Sequence, residues 1–425
     1  MRKIIITLAP IAIFLSPLSM AKNFSLDLLA TAGESDNALK TAENEFSEKQ
    51  NRYSASVQGD WDKQWFDANV HYTAYQETFA DDSQEGENYL QGDSALTLGN
   101  ANNLFNLDLR HSRRTLLKQT ANTPLTNNQE EREIFSVMPS ARIDITGSDE
   151  LVAYADLSRT RYLESELRDS DRNTYGVDHQ HDFSATDKIN LRLEKIESEF
   201  LYFPQSDYTL NSAAMVYSVS LRKLSYSLGA GQDQTKPEVG DKYSSPHYEA
   251  TLNYNTGPNQ IHLRIDQSIT DTSYGEGLML AIADVPGVDA ATDELGIIKR
   301  RSVGIDLTTT ALCARCDLTL GLSQAEDDYV DSESESTQRG ASLTFQYRFS
   351  PRSILLLSHS RSDQEPVTGL ADDYRQIFSR ISFRYQFLKN YSFELFRETE
   401  KRSSDKGTLD YQENYTGLAL GYHFE

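Results

Sequence analysis

The chain has 425 residues, with 64 acidic side chains against 41 basic ones and a formal charge of −23. That balance excludes a nucleic-acid binder, which needs clustered Lys and Arg to displace phosphate counterions. Its 23 Tyr and 18 Phe exclude a disordered acidic chain, which is poor in aromatics, and favour strands.

In chain order, Arg2 and Lys3, the apolar run Ile4 to Leu15 and the segment Ser19-Met20-Ala21 have the layout of a cleavable export signal. Residues 1–21 are expected to be removed and 22–425 to form one domain. Pro10, Ser16 and Pro17 break the apolar run before it reaches the length of a membrane helix.

No later run reaches that length either, and the mean hydropathy is −0.57. A strand that shows lipid only at every second residue keeps such a low mean while one of its faces stays apolar. Alternation of that kind starts in Phe24 to Ala32 and returns along the chain. Phe66, Ala68, Val70 and Tyr72 alternate with Asp67, Asn69, His71 and Thr73, and Phe105, Leu107 and Leu109 with Asn106, Asp108 and Arg110. Ile261, Leu263 and Ile265 alternate with His262, Arg264 and Asp266, and Ala341, Leu343, Phe345, Tyr347 and Phe349 with Ser342, Thr344, Gln346 and Arg348. Ile381, Phe383, Tyr385 and Phe387 do the same against Arg380, Ser382, Arg384 and Gln386.

The connections take turns between tight and long. Asp62-Lys63-Gln64, Gly99 to Asn102, Gly147-Ser148-Asp149, Thr186-Asp187, Thr256-Gly257-Pro258, Ser350-Pro351-Arg352 and Leu388-Lys389-Asn390 are hairpin-sized. Residues 34–49, 116–130, 272–299 and 325–337 are longer and mostly acidic. The expected fold is all-β: a single transmembrane antiparallel up-and-down barrel of about twenty strands, with short periplasmic turns and long extracellular loops. Acidic runs such as Asp81, Asp82, Glu85 and Glu87, or Glu326, Asp327, Asp328, Asp331, Glu333 and Glu335, then read as solvated loop surface or as sites where divalent cations bridge to lipopolysaccharide.

In the last strand, Leu418, Leu420, Tyr422 and Phe424 alternate with Gly417, Ala419, Gly421 and His423. This resembles the C-terminal strand of bacterial outer-membrane proteins, whose aromatic ending is read by the barrel assembly machinery; Glu425 departs from that ending. The whole mature chain resembles the porin-like superfamily of bacterial outer-membrane barrels. Its mixed Tyr, Arg and Ser strands, with turns such as Phe349-Ser350-Pro351-Arg352-Ser353, resemble barrels encoded with exopolysaccharide or exosortase systems. The resemblance implies a Gram-negative outer membrane, lipid and lipopolysaccharide as surroundings, and a part in exporting or anchoring a surface polysaccharide.

Chemistry-bearing patterns are sparse. There is no G-x-S-x-G, the eight His are scattered, and neither an enzyme nor a cofactor is expected. His179 and His181 share a strand face, as a metal would want, but no third ligand is located, and they read as polar lumen or loop residues. Cys313 and Cys316 form a C-x-x-C in a periplasmic turn, to be read as a structural disulfide or as a reactive thiol pair. The expected pore lining carries both signs: Arg110, Arg192, Arg264, Arg348, Arg380 and Arg384 beside Asp67, Asp108, Glu194, Asp266 and Glu394. These charges would form a stiffening lattice, a selectivity field for a hydrophilic solute, or both.

Thr272 to Lys299 is apolar at its centre, around Leu278, Ile282, Pro286 and Gly287, so it should pack somewhere, and a constriction at the mouth is the expectation. Three functions stay open: a channel, a scaffold that docks periplasmic or surface partners, and a hydrolase. The channel is favoured, because porins of about 16 to 18 strands already leave an aqueous path.

Overall fold

The computed structural model describes residues 23–99, 104–118, 123–273, 289–290, 296–330, 334–365, 372–407 and 409–425. The expected export signal, 1–21, lies outside them.

The first half of the barrel is built from β1 (Asn23–Ser35), β2 (Glu48–Lys63), β3 (Phe66–Phe79), β4 (Asn88–Leu98), β5 (Phe105–Leu117), β6 (Gln129–Asp144), β7 (Asp149–Tyr162), β8 (Ser170–Asp182), β9 (Asp187–Phe200) and β10 (Tyr208–Ser220). The second half holds β11 (Leu224–Pro237), β12 (Tyr243–Asn255), β13 (Asn259–Asp271), the two-residue β14 (Asp289–Ala290), β15 (Ile297–Thr309), β16 (Cys316–Tyr329), β17 (Glu335–Ser350), β18 (Ser353–Glu365), β19 (Tyr374–Gln386), β20 (Tyr391–Ser404) and β21 (Tyr411–Phe424). Each strand except β14 pairs antiparallel with its sequence neighbours, β13 passing directly to β15. β1 closes on β21 from Leu26↔Phe424 to Ser35↔Tyr415. Twenty strands therefore form one closed wall with no free edge, the condition for a sheet to cross lipid.

The registers stay in phase around the whole circumference, so alternate residues keep to one face. Leu28, Val57, Val70, Leu109, Val137, Val177, Leu193, Met215, Leu228, Leu263, Ile305, Leu322, Leu343, Ile381, Leu395 and Leu420 share the outer face. Trp65, Phe105, Phe183, Phe349, Phe387, Tyr391 and Phe424 are exposed near the tight-turn end, where both strand termini also lie. This is the aromatic girdle of a membrane barrel, with the termini on the periplasmic side. In the turn between β12 and β13, Gly257 takes φ +91°, which side chains rarely adopt, with open space around the position of its missing Cβ.

One acidic run is placed differently from expectation. Glu326, Asp327 and Asp328 belong to β16, and only 330–334 connect it to β17. β15 sets bases opposite them: Arg300 meets Asp327 at 2.7 Å, Arg301 meets Asp328 at 2.7 Å and Glu326 at 3.5 Å, and Lys299 also bonds Asp328. The strands outrun the lipid, and above it charge is tolerated on both faces.

Candidate pore and its closure

All eleven expected lining residues fall on the face opposite the apolar one. Arg380, Arg384 and Glu394 are brought together, with Glu394 accepting from Arg380 at 2.6 Å and from Arg384 at 2.8 Å. Arg380 also reaches Glu398 at 2.5 Å. The others are spread around the wall. Arg192 faces Asp178 at 3.7 Å, Glu194 accepts from the Tyr154 hydroxyl, Asp108 accepts from Thr97, and Arg348 pairs with Asp317 at 2.5 Å. Asp67, Arg110 and Arg264 sit opposite Thr97, Ser136 and Thr251, while Asp266 accepts from Ser268 at 3.1 Å.

Sequence reading missed the upper part of this face. Arg52 bonds Glu77 at 2.6 Å and Glu398 at 3.4 Å, and Lys40, from the β1–β2 connection, enters to meet Glu400 at 2.7 Å and Glu413 at 3.6 Å. Burial opposes the Lys40 charge, yet the two carboxylates hold its pKa above the usual lysine value. The same alternation, carried through Gln50, Arg52 and Ser54, would have found the strand residue. Nothing local marks the loop lysine.

The wall departs from a plain cylinder at two places, both toward the extracellular end. The β12–β13 ladder stops at Tyr248↔Gln267, while β13–β15 continues to Asp271↔Ile297. The next bonded position on β12 is Pro246, which has no N–H to give. Its carbonyl accepts from the Gln267 amide at 2.6 Å, and the Ile269 N–H goes instead to Asp233 on β11 at 3.1 Å. By alternation Ile269 and Ile297 belong to the outer face, yet both are buried with Ile196, Phe200, Tyr208 and Leu210 of the inner wall. The top of this hairpin therefore leans into the lumen. Its anchor is Asp271, wholly buried, which accepts from the Tyr208 hydroxyl at 2.6 Å, Arg172 at 3.2 Å, Ser198 at 3.4 Å and the Ser273 N–H at 3.0 Å.

The second departure is between β4 and β5, whose ladder ends at Gly92↔Arg113 although β5–β6 continues to Leu117↔Gln129. The β5–β6 top leans inward in turn: Glu131 accepts the Leu90 N–H at 2.7 Å, and Thr126 donates its backbone N–H to Gln84 of the β3–β4 connection at 3.0 Å. Gly92 sits where the ladder ends, with φ +150°, and a Cβ there would stand 2.1 Å from the His71 carbonyl oxygen of β3. The two leaning hairpins meet. Tyr162 packs on Leu116 and donates to the Ser273 carbonyl at 2.9 Å, and β14 pairs in parallel with Leu116 and Leu117 of β5. The connection from β13 to β15 thus reaches a strand eight places away around the barrel.

Leu278, Ile282, Pro286 and Gly287, the expected constriction, lie outside the described residues, between the two anchored stretches. Cys313 and Cys316 are joined as a disulfide in the β15–β16 turn, Cα to Cα 5.1 Å. His179 and His181 fall on the outer face near the tight turns rather than in the lumen or a loop, with Asp149 at 3.5 and 2.8 Å. Outward parity on β8, which also carries Tyr175 and Val177, puts them there. Among the described residues no group of three or more His, Cys, Asp or Glu side chains is placed to hold a metal.

No family model matches the sequence, and no curated protein is significantly similar to it. Among solved structures, the ferric-catecholate import receptor Fiu of E. coli K12 aligns over 95% of this chain and 82% of its own, at 9% identity and a TM-score of 0.46. BauA, the ferric preacinetobactin receptor of Acinetobacter baumannii, aligns over 95% and 81% at 11% identity and 0.45. OpdK of Pseudomonas aeruginosa, solved with vanillate, aligns over 95% and 99% at 10% identity and 0.38. The assignment rests on the ladder rather than on these likenesses. A closed antiparallel wall, apolar outside, charged inside and ringed by aromatics at its tight-turn end, belongs in lipid; the chain is an outer-membrane β-barrel.

Proposed function

We propose that this barrel is a channel for a small hydrophilic solute rather than a catalyst, and that its extracellular mouth is held shut by its own leaning hairpins. The observation that carries the reading is the buried Asp271 node, which ties the β13–β15 hairpin to Arg172 of β8 and Tyr208 of β10 on the inner wall. Below it the inner face is lined by paired charges and by small polar side chains such as Ser227, Thr251 and Ser302, which suits water and polar solutes. Export of a surface polysaccharide is a finer form of the same reading, and it requires both hairpins to leave the mouth together.

The test is single-channel recording in planar bilayers. Asp271→Ala is expected to raise the open fraction or the conductance while heat-modifiable migration on gels is retained. A correctly folded variant with unchanged, near-zero conductance would shift the function to scaffolding.

A further inference from the structure

By leaning inward, the β5–β6 hairpin borders a partly open chamber of about 510 Å³ against the inner wall of β1–β4 and β19–β21. We propose that this chamber is a binding site for a short, uncharged saccharide. The proposal deepens the channel reading by naming the solute class met at the mouth.

Three features of the lining converge. The first is aromatic. Tyr75 and Tyr89 are stacked in the chamber wall with centroids 5.2 Å apart and an interplanar angle of 28°, and neither is fully buried. Two other rings in the lining already carry a guanidinium: Arg52 lies 4.4 Å from the centroid of Tyr415, and Arg380 lies 4.6 Å from that of Phe396. The Tyr75–Tyr89 pair thus offers the ring face on which an apolar C–H face can pack.

The second feature is amide. Gln91 and Gln376 line the same space, and each side chain can both donate and accept, as a sugar hydroxyl does. Gln91 donates to the Tyr75 hydroxyl at 3.2 Å, which leaves its carbonyl oxygen to accept.

The third feature decides the ligand's charge. Lys40, Arg52 and Arg380 face Glu77, Glu398, Glu400 and Glu413 in the lining, three cations against four carboxylates, a formal sum of −1. Every one of them is engaged: Arg52 with Glu77 and Glu398, Arg380 with Glu398, and Lys40 with Glu400 and Glu413. An anion meets a net negative site, and a cation meets carboxylates already neutralised. A neutral ligand leaves each pair intact and can still donate hydroxyls to the carboxylate oxygens. A pocket of this size holds a small ligand, not a folded partner.

The experiment is isothermal titration calorimetry on the detergent-folded barrel with cellobiose, maltotriose and chitobiose at millimolar concentration, with spermidine and benzoate as charged probes. At least one saccharide is expected to bind and neither charged probe to compete. Tyr89→Ala is expected to weaken binding by about tenfold, and Tyr89→Phe to keep it. Gln376→Ala serves as a second variant should Tyr89→Ala fail to fold. No heat from any of the three saccharides, unchanged affinity in the folded variants, or tighter binding of a charged probe each overturns the proposal. Because calorimetry reads binding without current, a barrel that binds saccharide but never conducts rejects the channel and keeps the site. A conducting barrel that binds none does the reverse.

Discussion

The periplasmic and extracellular halves of this barrel follow different rules. The periplasmic half is an unbroken ladder with tight turns, an aromatic girdle outside and dispersed charges inside. The extracellular half breaks its ladder twice, at Gly92 and near Pro246, and packs the outward-parity Ile269 and Ile297 against the inner wall. The lower half answers to lipid, which tolerates no unpaired backbone, while the upper half stands above the lipid and can exchange ladder bonds for side-chain bonds. Asp233 and Glu131 make that exchange, each accepting a backbone N–H at a place where the ladder has ended.

Disturbing the upper half should have the largest effect. Asp271→Ala removes a wholly buried carboxylate that accepts from Arg172, Tyr208, Ser198 and the Ser273 N–H, and losing one hydrogen bond to a charged group typically costs about 1.5–3 kcal/mol. The expected result is loss of the hairpin's docked position, seen as fast hydrogen exchange at the Ile269 amide, with the strands near the periplasm still protected. Slow exchange at Ile269 in the variant would mean that the apolar cluster of Ile196, Leu210 and Ile297 holds the hairpin alone.

Glycine substitutions sharpen the comparison at the next level. Gly92→Val puts a side chain against the His71 carbonyl and within 2.6 Å of the Tyr72 Cα, backbone atoms that cannot easily move aside. It should lower the yield of heat-modifiable barrel. Gly147→Ala, in a periplasmic turn with nothing within 4 Å, should leave that yield unchanged. Equal yields from both variants would mean that β3 and β4 pair without needing a glycine at position 92.

The fold was legible because lipid enforces alternation. Wherever an outer position had to be apolar, as at Leu107 and Leu109 or Ile261 to Ile265, the intervening residue could be assigned to the inner face from parity alone. The leaning hairpins were not legible for the same reason. Gln267, Ile269 and Asp271 keep the parity of the outer face, and only the partners they meet, distant in sequence, show that this face has turned inward. Pro246 was a readable signal of a stopped ladder, whereas Lys40 reaches the chamber from a loop and leaves no periodic trace. The acids at 326–328 looked like loop because their bases lie on another strand.

In the periplasmic half, the Cys313–Cys316 bond closes only a short loop, and its loop-closure contribution is about 2 kcal/mol. The double substitution Cys313→Ser with Cys316→Ser should lower the Tm slightly and leave conductance as it was. Mass spectrometry of unreduced, exported protein should find both thiols blocked to alkylation. Two free thiols there would leave the reactive-pair reading of the motif standing.

The smallest effect is expected from pH, and it is confined to the upper half. Glu87, in the connection that leads into β4, has its carboxyl pushed up to about 6 by burial, with Glu164 adding to the shift and Lys118 opposing it. A carboxyl whose folded pKa lies above its ordinary value of about 4.5 stabilises the folded arrangement through its protonated form. That contribution is fully present below about 4.5 and is lost as pH rises through about 6, the reverse of a salt-bridged carboxylate. The closed mouth should therefore be slightly tighter at the acidic end of this window than at neutrality, with the effect kept small because the group is partly exposed and screened. Open-channel fraction, followed across the window in planar bilayers, should rise with pH in the native barrel and stay flat in Glu87→Gln. A variant with an undiminished slope would move the titration to another group and leave Glu87 as loop surface.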